Sequence, residues 1–320
     1  MRAVIPAAGM GKRLRPYTID VPKVMISLAG KPLIGHILDN IAGSGVTSVS
    51  LIVGYKGEQV VDYVNENYSH LRLDFPYQAE RKGLGHAVLQ GLEDKEEEVL
   101  ILLGDTIFDV DYQRFIACES SAIGVVQVED PSRFGVVEVD TNNMATLLIE
   151  KPEHPKSNLA LAGLYYIKDQ RLLLAAIQKL IDENITTRGE YQLTDALQIL
   201  IENGEEIQAI EIKGWYDCGT KESLLASQRF ILKHSVSREN EATCIIHPPV
   251  FIHPEAQVSH STLGPNVTID KGARISGSRI EESIIGKEAT VKNIRLSNAL
   301  LADRSVTEGD EKQVISESQN

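Results

Sequence analysis

Hydrophobic positions along the first hundred or so residues fall into short apolar runs separated by stretches with helical spacing. Ala3 to Ile5 is an apolar run closed by the turn Ala7-Ala8-Gly9-Met10-Gly11, which predicts a buried strand opening into a loop. From Pro32 to Gly43, Leu33, Ile37, Leu38 and Ile41 recur at helical spacing before Gly43-Ser44-Gly45, predicting a surface helix. Val49 to Val53 reads as a strand, Glu58 to Tyr68 as a helix, Leu71 to Tyr77 as a third strand, and Val99 to Leu103 as the most hydrophobic strand of this region. Strands and helices alternating in this way predict an α/β fold, a doubly wound and mostly parallel Rossmann-like sheet, whose ligands collect at the carboxyl ends of the strands.

Further along, the pattern changes twice. Ile123 to Val128, Phe134 to Val139, Thr146 to Glu150 and Asn158 to Ile167 predict a β-rich insertion. A helix follows over Asp169 to Asn184, then a second one capped by Thr194 or Asp195 and ending at Asn203-Gly204. A strand from Ile207 to Ile212 leads into Gly214-Trp215-Tyr216-Asp217. From residue 246 onward aliphatic residues recur every five or six positions: Ile246, Ile252, Val258, Leu263, Ile269, Ile275, Ile280, Ile285, Val291, Leu296 and Leu301. That period predicts a short left-handed parallel β-helix of hexapeptide type, with about three and a half coils. The expected organisation is therefore three parts: 1–235 as an α/β domain, 236–306 as the β-helix, and 307–320 as a disordered polar tail.

Charge sharpens the picture. The 320 residues are 42% hydrophobic and 24% charged, an ordinary globular composition, and the net charge of −13 argues against a broad surface for nucleic acid or an anionic membrane. Within residues 1–31, however, Arg2, Lys12, Arg13, Arg15, Lys23 and Lys31 face the single acid Asp20, so an anionic ligand is drawn to this one region. No signal peptide or membrane-length apolar run is read, and a cytoplasmic location is expected. The three cysteines, Cys118, Cys218 and Cys244, are far apart and form no CxxC pair, so neither a disulfide framework nor a zinc site is expected.

The first loop carries the chemistry. Small residues at Ala7, Ala8, Gly9 and Gly11 let backbone N–H groups approach an anion, and Lys12, Arg13, Arg15 and Lys23 supply countercharge, which reads as a phosphate cradle. It is neither of two better-known glycine loops: GxxxxGK[ST] is absent, and Leu14 stands where GxGxxG needs its third glycine. Two acids, Asp105 after the most hydrophobic strand and Asp217 after the last one, sit at strand ends where such a sheet builds its site.

The stretch from Ala7 through Leu14-Arg15-Pro16 to Pro22-Lys23 resembles the signature of sugar-1-phosphate nucleotidylyltransferases. The segments FGVVE, EKP, GLYY, RGEYQLTD and WYDCGT keep the same family's order over about residues 1–235, most like the long form of the glucose-1-phosphate thymidylyltransferases. The resemblance implies a loop wrapped around a nucleoside triphosphate, with Arg13 on the leaving phosphates and Lys23 on the α-phosphate as the catalytic cations. It implies Mg²⁺ held by Asp105 and Asp217. It points to Gln78, Gly83, Gly85 and His86 for the base, and to Gly135, Glu150, Lys151, Gly163 and Tyr165 for the sugar phosphate. Lys12 stands where the family commonly has threonine, and His86 matches uridylyltransferases as well.

The activity expected is transfer of a nucleotidyl group from dTTP to glucose 1-phosphate, with UTP as the alternative donor. A rival from another class is a non-catalytic regulatory subunit that binds a nucleotide sugar; it is disfavoured because both cations and both acids are present. Acyl transfer on the β-helix is disfavoured by its short repeat array. His247, His253 and His260 are read as solvated, and the β-helix as the means of homo-oligomer assembly.

Overall fold

The computed structural model describes residues 1–233, 243–309 and 314–315. The chain forms two compact units: Met1–Met10 with Ile37–Trp215, and Gly11–His36 with Tyr216–Asn320. The chain thus passes between units at Met10–Gly11, inside the basic loop.

The first unit is built on nine strands: β1 (Arg2–Pro6), β2 (Ser48–Ile52), β3 (Arg72–Asp74), β4 (Val99–Leu102), β5 (Ser121–Gln127), β6 (Gly135–Val139), β7 (Ala145–Glu150), β8 (Leu159–Ile167) and β9 (Ile207–Glu211). They share one sheet with the order β7-β6-β8-β4-β1-β2-β3, while β5 pairs with β8 and β9. Strands β4, β1, β2 and β3 run parallel, as the alternation of strands and helices predicts. The β-rich insertion joins the same sheet: strand β8 is antiparallel to β4 and pairs with β5 and β6. Leu159–Ile167 is a nine-residue apolar strand, and its register against Val99–Leu102 buries both on two faces.

Packing follows from that sheet. Val99, Leu100, Ile101 and Leu102 are all fully buried, at about 1.5–3 kcal/mol each. The helices Gln170–Asp182 and Leu193–Glu202 close one face through Leu173, Ile177, Leu180, Leu193, Leu197 and Leu200. Asp169 caps the first of them by accepting from the N–H of Arg171. The second helix is not capped by Thr194 or Asp195. Gln192 stands at its N-cap, and Thr194 lies within the helix, its hydroxyl engaged elsewhere.

The second unit contains the β-helix. Three parallel sheets of five, four and four short strands form its faces. The aliphatic residues stack in three columns: Ile246, Leu263, Ile280 and Leu296 on one face; Ile252, Ile269, Ile285 and Leu301 on the next; Val258, Ile275 and Val291 on the third. This is the arrangement expected of a left-handed β-helix. Among the described residues it has four coils and the first strand of a fifth, more than the three and a half expected. Val306–Glu308 completes the fourth, and Val314–Ile315 pairs with Arg295 and Leu296 within the stretch read as a patternless tail. The rest of that tail, and residues 234–242, lie outside the described residues.

Residues 11–36 are packed onto this β-helix. The N–H of Ala29 donates to Thr268 Oγ1 at 3.2 Å, and the Phe251 ring lies against Gly30, where a Cβ would come within 2.0 Å of it. The helix Lys221–Lys233 packs there too. Gln228 is fully buried and donates to the carbonyls of Asn266 and Ser283, and Arg229 pairs with Glu282 at 2.6 Å. His253 Nδ1 accepts from the N–H of Glu255, and His247 and His260 are exposed, in keeping with solvated side chains. All three cysteines are free.

Candidate active site

In the first unit, β1 delivers the chain to Ala7, whose N–H donates to Ile52 O at 2.8 Å. Ala8 is packed against Gly54, and its carbonyl accepts from Arg81 at 3.2 Å, a residue that sequence reasoning passed over. Gly9 is open: a Cβ there would meet nothing within 4 Å, so its backbone is approachable. Gln78 lies beside this loop at the carboxyl edge of the sheet, its N–H donating to Val53 O. Gly104 donates to Pro6 O at 3.2 Å, which sets the half-buried carboxylate of Asp105 next to the start of the loop. Ala7, Ala8, Gly9 and Asp105 are therefore neighbours at one edge of the sheet, with Gln78 beyond the next strand end.

The turn holding Gly83 and Gly85 is clamped to the RGEYQ segment. Gly85 donates to Tyr191 O at 2.9 Å and Tyr191 donates to Lys82 O at 2.8 Å. His86 opens the short helix Leu84–Leu89 behind it. Burial, reinforced by the Lys82 charge, pushes the imidazole below its usual pKa, so it is neutral at neutral pH.

A second constellation gathers on β6, β7 and β8. Glu150 is paired with Gly135 across the ladder, and its Oε2 accepts the Thr194 hydroxyl at 2.7 Å while Oε1 lies 2.8 Å from Lys151 Nζ. Gly135 leaves room for this: a Cβ there would stand 3.1 Å from Glu150 Oε2 and 2.9 Å from Thr194 Oγ1. Lys151 adopts a left-handed backbone, and its carbonyl accepts from Arg188. Gly163, at φ +93°, lies against Leu103 and accepts that residue's N–H, linking this constellation to the strand end that carries Asp105. Tyr165 is buried in the core, and burial, with Glu150 nearby, raises its pKa and keeps its hydroxyl protonated. Asp195, half-buried, is likewise raised by desolvation and by the charge of Glu150.

In the second unit, Gly11 sits at φ +61° and caps the short turn Lys12–Leu14, its carbonyl accepting from Thr18 Oγ1 at 2.8 Å. A Cβ at Gly11 would press on Thr18 and on Lys23 Cβ at 3.1 Å, so the glycine lets the loop close over Lys23. Lys23 is 6% exposed, and its Nζ is 3.9 Å from Asp217 Oδ1. Asp217 Oδ2 accepts the Gly219 N–H at 3.0 Å and the Ser223 hydroxyl at 3.4 Å. A Cβ on Gly219 would lie 2.8 Å from Asp217 Oδ2 and 3.1 Å from Arg13 Nη2, so Gly219 lies between this carboxylate and the Arg13 guanidinium. Arg13, Lys23 and Asp217 are thus assembled together, with Lys12 exposed beside them. Arg2 is different from the other early cations: it is buried and spent on Asp74 at 2.7 Å and Glu93 at 3.1 Å.

Asp105 and Asp217 offer only hard carboxylate oxygens, the donor type that suits Mg²⁺. Among the described residues no group of three or more His, Cys, Asp or Glu could hold a metal.

A nucleotidyl transferase family model matches residues 2–234, which contain every candidate site residue described above. The chain belongs to that family. It is 40% identical to the bifunctional protein GlmU of Methanocaldococcus jannaschii over 72% of its length, but spans only 54% of that relative. It is 35% identical to the UTP–glucose-1-phosphate uridylyltransferase AglF of Haloferax volcanii, over 67% of this chain and 89% of that protein. It is 32% identical to a glucose-1-phosphate thymidylyltransferase of Streptomyces antibioticus, over 96% of this chain and 93% of the relative. Among solved structures, a UDP-glucose pyrophosphorylase complexed with UDP-glucose matches with a TM-score of 0.62 at 25% identity, over 73% of this chain and 99% of that one. The resemblance to sugar-1-phosphate nucleotidylyltransferases is borne out. No helix among the described residues is long and apolar enough to cross a membrane.

Proposed function

We propose that this chain is a Mg²⁺-dependent glucose-1-phosphate nucleotidylyltransferase that uses dTTP. The observation that carries the choice of base is the extent of the thymidylyltransferase match, which runs through the β-helix and covers 93% of that relative. In this reading a phosphate oxygen of glucose 1-phosphate attacks the α-phosphorus of the triphosphate. A new P–O bond forms as the bond to the β-phosphate breaks, and pyrophosphate departs with the electron pair. No general base is needed, because the attacking phosphate is already ionised.

Lys23, buried beside Asp217, steadies the charge growing on the α-phosphate oxygens, and Arg13 binds the departing phosphates with its fork of donors. Asp105 and Asp217 would hold Mg²⁺, which when bound supplies countercharge to the phosphates. The backbone of Ala7, Ala8, Gly9 and Gly11, with Lys12, cradles the phosphates, and Gln78 with the turn of Gly83, Gly85 and His86 receives the base. Glu150, Lys151, Gly135, Gly163 and Tyr165 form the sugar-phosphate pocket, with Thr194 orienting Glu150. The β-helix serves self-association, supported by the exposed Ile245 and Val306 on its faces and tested by light scattering.

The test is pyrophosphate release by the isolated chain with glucose 1-phosphate and dTTP in competition with UTP. Preference for dTTP supports the reading. Preference for UTP favours uridylyl transfer, for which the histidine of the Gly83–His86 turn is the pointer. No release with any triphosphate leaves the regulatory-subunit reading.

A further inference from the structure

Within the second unit, a cavity of about 40 Å³ lies where residues 17–27 meet the β-helix. That is room for a small ion with a water or two, and far too little for a nucleotide or a sugar. Tyr17, Met25 and Ser27 line it from one side, and Asp270, Lys287 and Asp303 from coils of the β-helix. Asp270 is 3% exposed, and its Oδ2 has no hydrogen-bond partner; its other oxygen accepts only the neighbouring N–H of Lys271. The buried Ser27 hydroxyl is equally unpartnered. Asp303 Oδ1 accepts the N–H of Lys287 at 2.9 Å, beside Gly286, where a Cβ would stand 2.6 Å from that oxygen.

Among the described residues neither acid forms an ion pair, and a buried carboxylate oxygen left bare is costly. Two carboxylates and a hydroxyl lining one small space are the donor set of a hard, oxygen-preferring ion.

We propose that Asp270, Asp303 and Ser27 form a divalent-cation site, separate from Asp105 and Asp217, that ties the segment carrying Lys23 to the β-helix. Lys23–Met25 is a single helical turn, and Met25 itself lines the cavity, so an ion there would brace that turn. The inference does not depend on the proposed activity.

Mn²⁺ binding to the full chain tests it. The variant carrying Asp105→Asn and Asp217→Asn is expected to bind one Mn²⁺ per chain and to melt at higher temperature in its presence. Adding Asp270→Asn should weaken that binding about tenfold or more and abolish the thermal shift. If Asp270→Asn fails to fold by circular dichroism, Ser27→Ala, which removes only the hydroxyl, replaces it on the same terms. No Mn²⁺ bound by the Asp105→Asn and Asp217→Asn chain, or unchanged affinity after the cavity substitution, overturns the proposal. Loss of pyrophosphate release alone speaks to the active site and leaves this inference standing.

Discussion

The Thr194 hydroxyl donates to Glu150 Oε2 at 2.7 Å, from a helix to the end of a strand 44 residues earlier. Glu150 also contacts Lys151, and its side chain is 9% exposed, so the threonine holds in place a carboxylate with little water to replace it. Thr194→Val keeps the shape and removes the donor. We expect KM for the sugar phosphate to rise about tenfold, in line with losing a hydrogen bond to a charged group, with a smaller change for the triphosphate. Equal effects on both substrates would count against Glu150 as a sugar ligand.

Lys23→Ala should lower kcat by about 10²–10³, as expected when a charge aimed at the reacting phosphate is removed. The melting temperature is the control: a chain that stays folded while kcat falls separates loss of the cation from loss of the fold.

Gly219→Ala places a methyl 2.8 Å from Asp217 Oδ2 and 3.1 Å from Arg13 Nη2. The carboxylate or the guanidinium must shift. The Mg²⁺ concentration needed for half-maximal rate should increase several-fold while stability changes by about 1 kcal/mol or less. An unchanged Mg²⁺ dependence would argue against Asp217 as a metal ligand.

Gly163→Ala is expected to be destabilising by about 2–4 kcal/mol in denaturant unfolding. A side chain at φ +93° is strained in itself, and its Cβ would meet Leu103 Cδ1 at 2.3 Å. Leu103→Ala in the same chain should recover the steric part and not the backbone part.

Asp195 supplies a pH test. Its folded pKa is raised above 3.8 by desolvation first, with Glu150 adding to the rise. A carboxyl raised on folding favours the folded state only while protonated, so its contribution is present below about pH 3.8 and is lost as pH climbs through the folded pKa. Asp195→Asn should therefore be more stable than the parent at neutral pH, with the difference closing as the pH falls toward 3. A constant difference across that range would sink the argument.

Much of the architecture was legible because burial imposes periodicity. The helices at Leu33–Ile41 and Gly57–Asn67 and the strands ending at Ile52 and Leu102 lie within a few residues of their expected bounds. Every aliphatic residue that marked the β-helix found a place in a stacked column. What was misread or left open depended on partners far away in sequence. Nothing local shows that Leu159–Ile167 pairs against Val99–Leu102, or that two short strands hide among charged residues after Val306. Thr194 has the look of a cap, and only the approach of Glu150 gives its hydroxyl another acceptor.

By itself the chain's order of residues determined the family, the layered α/β sheet, the repeat that builds the prism, and the small-residue loop with its cations, because each is written in spacing or in consecutive residues. The folded form alone decided that Arg13, Lys23 and Asp217 stand together, that Arg2 is consumed by Asp74 and Glu93, and that residues 11–36 pack on the β-helix beside the buried Asp270. Charge and hydrogen-bond partnership depend on distance in space, and separations of about 70 to 280 residues along the chain carry no local mark of it.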